Sequence, residues 1–190
     1  MLTALPGQHP QRFRTSVGTA SGTAPGVPLN VRLQLVNTNG ACVSLAGYAI
    51  YLWHCTRDGL YSMYSVGVTG ENFLRGVQVT DGDGIAIFKT IFPGCYAGRM
   101  PHIHFEVYRN ANTATSYSNK LRTLQIAFPV QLCQRLYSNA AGYEASVTNL
   151  SRVSFAIDMV FSDGVTTQLA TMGGNGVDGT TATLQVGISV

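Results

Sequence analysis

The chain has 190 residues, with 12 Lys and Arg against 9 Asp and Glu and a net charge of +3, a length that fits one domain able to bury a core without cross-links. Charged residues make up only 11% of it, against about 25% in ordinary soluble domains, and the basic ones are scattered, which excludes a basic stripe for nucleic acid. No apolar run reaches the roughly 18 residues that cross a bilayer, so neither nucleic acid nor a membrane is expected as a partner.

Residues 1–27 are rich in Pro, Gly, Ser and Thr and read as an arm lying over the domain or as disorder, with His9 a solvated tail residue. A single domain is expected over 28–190. From Leu29 the apolar Leu29, Val31, Leu33 and Leu35 alternate with Asn30, Arg32 and Gln34, the mark of a half-buried strand. Asn37-Thr38-Asn39-Gly40 turns the chain. Val43 to Trp53 supplies a second strand whose end, Ala49-Ile50-Tyr51-Leu52-Trp53, is apolar on both sides and therefore central. His54 ends it. Ser62 to Arg75 is a long connection that walls a cleft. Asp81-Gly82-Asp83-Gly84 predicts a tight hairpin turn into the strand Ile85-Ala86-Ile87-Phe88.

Pro93-Gly94 punctuates the chain before the stretch Tyr96-Ala97-Gly98-Arg99-Met100-Pro101-His102-Ile103-His104-Phe105-Glu106-Val107. Ile103, Phe105 and Val107 fall on one face of a period-two strand, so His102, His104 and Glu106 share the other. Two imidazoles two residues apart can grip one ion, and neutral imidazole suits Zn, Cu, Fe or Ni. The same spacing also occurs on solvated strand faces. Asn112 to Ser116 is a polar loop and Leu121 to Phe128 another strand. Pro129 to Ala140 puts Leu132, Cys133, Leu136 and Tyr137 at helical spacing, which predicts the one short helix. Phe155, Ile157, Met159 and Phe161 alternate up to Asp163-Gly164. Thr167, Leu169 and Thr171 continue down, and Ala182, Leu184, Val186 and Ile188 form a closing strand. Many short strands with turn signals imply an all-β antiparallel sandwich.

A series of motifs in this order resembles the intradiol ring-cleavage dioxygenases. They are Trp53-His54, Asp58-Gly59 with Tyr61-Ser62, Asn72-Phe73-Leu74-Arg75-Gly76, Thr80-Asp81, Phe88-Lys89-Thr90-Ile91, Pro93-Gly94-Cys95-Tyr96 and Arg99-Met100-Pro101-His102-Ile103-His104. The similarity runs from about Pro28 to the C-terminus and is densest between Leu52 and Val107. It implies a β-sandwich in which Tyr61, Tyr96, His102 and His104 bind Fe(III), with catechol-type rings and O2 as substrates and a cis,cis-muconate as product. By the same resemblance Tyr96 leaves the ion when catechol binds, and Arg99 and Gln125 assist beside the metal. Phenolate is a hard donor suited to a hard cation. The Glu-Gly-Pro-Tyr-type segment of the larger family is not matched, since only His9-Pro10-Gln11-Arg12-Phe13 stands in that region, and the family's helical linker domain has no counterpart.

Four cysteines, Cys42, Cys55, Cys95 and Cys133, allow three two-bridge pairings or four reduced thiols. Trp-His-Cys and Pro-Gly-Cys-Tyr resemble a secreted actinomycete and fungal branch of the family. Under that resemblance the segments of Tyr61 and Tyr96 converge on one ion, so Cys55 is expected bridged to Cys95 and Cys42 to Cys133. Export is then the expected location, with the chain beginning after a removed leader; monomer and homodimer are both compatible. Two rival readings predict other properties: a transthyretin-like binding sandwich holds no metal, and a zinc hydrolase favours His, Cys and carboxylate over tyrosine.

Overall fold

The computed structural model describes residues 13–174 and 180–190, and the reading of His9 lies outside them. Two sheets form a sandwich. The first contains β1 (Pro28–Asn37), β2 (Val43–Ser44), β5 (Ile85–Ile91), β8 (Thr171–Gly173) and β9 (Thr180–Ile188); the second runs β4 (Arg75–Val79), β3 (Ala49–Trp53), β6 (His102–Tyr108), β7 (Lys120–Ala127). Pairing is antiparallel except between β1 and β9, which lie parallel. The alternation of β1 works as its pattern implies: Leu29, Val31, Leu33 and Leu35 are buried and pack with Ile50, Leu52, Phe88, Ile103, Phe105 and Val107 between the sheets. Each such side chain contributes about 1.5–3 kcal/mol when fully buried.

β3 is an interior strand, as its two-sided apolar character implies. It does not continue from Val43, however. Val43–Ser44 belongs to the first sheet and Ala49–Trp53 to the second, and the crossing between them is stitched by the Thr80 hydroxyl, which accepts from Tyr48 N at 3.0 Å and donates to Leu45 O at 2.6 Å. Asp81 to Gly84 is a tight turn in which Asp81 Oδ1 accepts from Asp83 N and Ile85 N at 3.0 and 2.9 Å. It is not a hairpin, because β4 and β5 belong to different sheets.

The arm from Phe13 lies on the domain. Phe13 stacks near Phe88, with ring centroids 5.2 Å apart, over Gly76, where a Cβ would stand 1.9 Å from the Phe13 ring. Glycine at 76 is thus what lets the arm dock. Asn72 and Glu71 then hold it through Val17 and Gly22, at 2.7 and 2.9 Å.

Two further expectations are corrected. The helix α1 (Val130–Asn139) has a companion, α2 (Glu144–Leu150), whose short, β-branched and polar sequence carries little helical signal. The stretch Phe155 to Phe161 is not a strand: Phe155–Ile157 is a 3-10 turn, and Ile157 and Met159 are exposed while Asp158 is buried. Asp158 Oδ1 accepts from Val160 N and Phe161 N at 2.8 and 3.2 Å, and such local side-chain bonds compete with ladder formation. The expected descent from Thr167 reduces to β8, preceded by a bridge between Leu169 and Ala127.

Candidate metal centre

The site is built on the outer face of the second sheet and on the loops at one end of it. With Ile103, Phe105 and Val107 in the core, His102 and His104 project from β6 to the other face. Register places His104 between Trp53 of β3 and Gln125 of β7. Tyr61 follows the turn at Asp58-Gly59, where Gly59 N donates to Thr56 O at 3.0 Å and Tyr61 N to Ser65 Oγ at 2.9 Å. Tyr96 follows Gly94, whose N donates to Thr56 O at 3.0 Å. A Cβ at 94 would stand 2.3 Å from Arg57 O, so glycine there allows the two tyrosine segments to meet.

They meet at His102. Its Nε2 lies 3.5 Å from Tyr61 Oη, 3.2 Å from Tyr96 Oη and 3.0 Å from His104 Nε2. The Nδ1–H of His102 donates to Met100 O at 2.6 Å, which leaves the Nε2 lone pair turned into the cluster. Burial holds the His102 pKa down to about 4; burial, then His102 and Arg99, hold that of His104 down to about 3. Both imidazoles are therefore neutral and able to donate at pH 7. Burial pushes both phenols the other way, above their ordinary value, so they ionise here only against a nearby cation. Two neutral imidazoles and two phenols that await a positive charge fit a hard, highly charged metal ion. Among the described residues no group of three or more His, Cys, Asp and Glu is arranged to hold a metal.

Arg99 and Gln125 stand beside this cluster. Arg99 Nη2 donates to Gln125 Oε1 at 2.7 Å, and Gln125 Nε2 lies 3.3 Å from His104 Nδ1. The partner that sequence reasoning missed is Asp158. Its Oδ2 accepts from Arg99 Nε at 2.9 Å and from Met100 N at 2.7 Å. Glu106 is buried farther along the face and accepts from Tyr108 Oη at 2.6 Å. His54 is also buried, but its Nε2 pairs with Thr90 Oγ1 at 2.7 Å and its Nδ1 with Cys55 O at 2.8 Å. It ties the end of β3 to β5.

All four cysteines are free, so neither the Cys55–Cys95 nor the Cys42–Cys133 bridge is formed. Cys42 is exposed in the turn before β2, in the left-handed region at φ 58, whereas Cys133 is fully buried in α1. The Cys55 and Cys95 thiols, pushed up to about 12 by burial, donate to Gly94 O and Arg99 O at 3.5 and 3.4 Å. The backbone below Tyr96 is anchored from α2 instead: Cys95 N donates to Ser146 Oγ and Asn149 Nδ2 to Cys95 O, at 2.9 and 2.8 Å. A separate cleft of about 700 Å³, lined by Phe105, Leu124, Leu184 and Val186 among others, shares only Gln125 with the site.

A family model described as Dioxygenase matches residues 7–131. An intradiol ring-cleavage dioxygenase from Tetranychus urticae has the same fold, with a TM-score of 0.74 and 25% identity over 100% of this chain and 95% of that one. The chain belongs to the intradiol ring-cleavage dioxygenase family. The fold of this family member is shared by the dioxygenase domain of a carbohydrate-binding fusion protein from Streptomyces sp. SirexAA-E, at TM-score 0.57 and 23% identity over 99% and 94% of the two chains. It is shared too by 3-chlorocatechol 1,2-dioxygenase from Rhodococcus opacus 1CP, at 0.55 and 18%, over 87% of this chain and 61% of that one. No curated protein matches the sequence.

Proposed function

We propose that this chain is a non-haem Fe(III) dioxygenase that opens catechol-type rings between their two hydroxyls, with O2 as co-substrate and a cis,cis-muconate-type product. The observation that carries the reading is the convergence of Tyr61, Tyr96 and His104 on His102 Nε2 within 3.5 Å. Those four side chains would hold the ion, and a ferric ion so held supplies a Lewis acid that binds and activates the diol. The protein's own part is positioning and charge. The Met100 carbonyl keeps the His102 proton on Nδ1. Arg99, clamped by Asp158 and Gln125, offers a fixed cation to negative charge developing on the bound ring. Tyr96 is half-buried on a backbone pinned by α2, so its ring can swing aside for the diol while its base stays in place.

Metal analysis with a visible spectrum tests the reading. About one ferric ion per chain and a red-brown tyrosinate-to-iron band are expected. Zinc with no visible band would overturn it. His104→Ala should empty the site and abolish catechol cleavage, and Tyr96→Phe should abolish cleavage with the metal retained.

A further inference from the structure

Trp53 and Arg75 belong to the motifs that mark the family, yet neither is among the four converging side chains. Trp53 lies flat against His104, with ring centroids 4.8 Å apart and planes 5° apart, and Tyr51 stacks behind Trp53 at 5.1 Å and 20°. Arg75 closes this stack by donating from Nη1 to Tyr51 Oη at 2.9 Å. Its other nitrogens serve the opposite wall of the site: Nε donates to Ser62 Oγ at 3.0 Å and Nη2 to Ser62 O at 2.7 Å. Ser62 directly follows Tyr61, and its hydroxyl also donates to Phe73 O at 2.6 Å. The Tyr64 ring, 5.1 Å from Arg75 Cζ, covers the guanidinium from outside.

Arg75 is 7% exposed, and neither ion pair among the described residues includes it. A buried cation satisfied only by neutral acceptors is costly to keep. Such a cost is not needed to hold a strand edge. A planar fork with donors in fixed directions is, however, what spans a carbonyl, a hydroxyl and a phenol at once.

We infer that Arg75 and Trp53 are positioning residues forming one brace that sets two site side chains together, Tyr61 through Ser62, and His104 through the Tyr51–Trp53 stack. The inference rests on the proposed function for its metal, but the brace is a property of the chain. It fixes the His104 ring plane from the β3 side, opposite Gln125 of β7, since β3 and β7 flank β6 on its two sides. It also links the Tyr61 loop to the His104 strand through one guanidinium.

The two ends of the brace give different signatures. Trp53→Leu should lower ferric affinity roughly tenfold to a hundredfold, the range seen when partners behind metal ligands are lost, with the tyrosinate-to-iron band unmoved. Trp53→Phe, which keeps a flat ring, should recover most of that loss. Arg75→Met should lower affinity by a similar factor and also shift the band, because it frees Tyr61. NMR of protein purified without iron supplies the arm independent of metal: the Trp53 face should displace the His104 ring protons upfield, an effect abolished in Trp53→Leu and reduced in Arg75→Met. Should Arg75→Met fail to fold, Tyr51→Phe removes only the acceptor of Nη1 and should reduce the same displacement. Wild-type affinity with an unmoved band in Arg75→Met, or an unchanged His104 displacement in Trp53→Leu, would overturn the brace. A wild-type protein that takes no iron would overturn the proposed function, and the NMR displacement would still decide the brace.

Discussion

At the scale of single residues, Asp158 has the widest reach: one buried carboxylate fixes Arg99, the Met100 amide and the turn at Val160 and Phe161. Burial alone would raise its pKa, but the Arg99 guanidinium and the backbone amides outweigh it and hold the carboxyl below its ordinary value. The folded state therefore favours the charged form. Its contribution to stability is complete above the ordinary carboxyl range and is lost as pH falls through the lower folded value. Asp158→Asn should cost about 1.5–3 kcal/mol at neutral pH, the range for hydrogen bonds to a charged group. Urea unfolding at pH 7 and at acid pH should find the gap to wild type narrowing as pH drops. Catechol turnover should fall as well, since Arg99 loses its clamp. Tyr61, Tyr96, Arg99, His102, His104 and Gln125 are named through the family resemblance, and only the shared face of His102 and His104 is legible from alternation along β6. Asp158 is legible in neither way, because the apolar residues around it alternate as in a strand while the aspartate itself bends the chain.

Elements differ in how much of them is local. β1, β6 and β9 announce themselves through alternation, and α1 through Cys133 and Tyr137 at helical spacing. The helix α2 buries little besides Ser146 and Leu150, and its value lies in what it does to a distant loop. It holds both backbone groups of Cys95 with Ser146 and Asn149. Ser146→Ala and Asn149→Ala should each cost about 1 kcal/mol as single hydrogen bonds. Combined, they should loosen Tyr96, lowering turnover with ferric binding largely kept, as kinetics and metal analysis would register. Gly94→Ala tests the neighbouring contact: the Cβ meets the Arg57 carbonyl at 2.3 Å, so the tyrosine segments should be pushed apart. The expected readout is a loss of both bound iron and thermal stability.

On the scale of the whole molecule, composition and turn signals were enough for a sandwich, but the assignment of strands to sheets was not. Val43 to Trp53 reads as one strand and Asp81 to Gly84 as a hairpin, yet each crosses between sheets, because only tertiary pairing decides which neighbour a strand edge takes. The parallel contact of β1 with β9, from Leu29 opposite Thr180 to Asn37 opposite Ile188, is likewise invisible in local pattern. It joins the first strand of the domain to the last, and it has a mechanical consequence. Tension applied to the chain at its two ends enters β1 at Pro28 and leaves β9 at Ile188, at opposite ends of that ladder. The load is then shared along the ladder in shear, so its backbone hydrogen bonds must fail together instead of unzipping one by one. Single-molecule stretching should register one high-force rupture for the domain. Pulling through cysteines placed at Pro28 and Thr180, the same end of both strands, should peel the ladder at distinctly lower force.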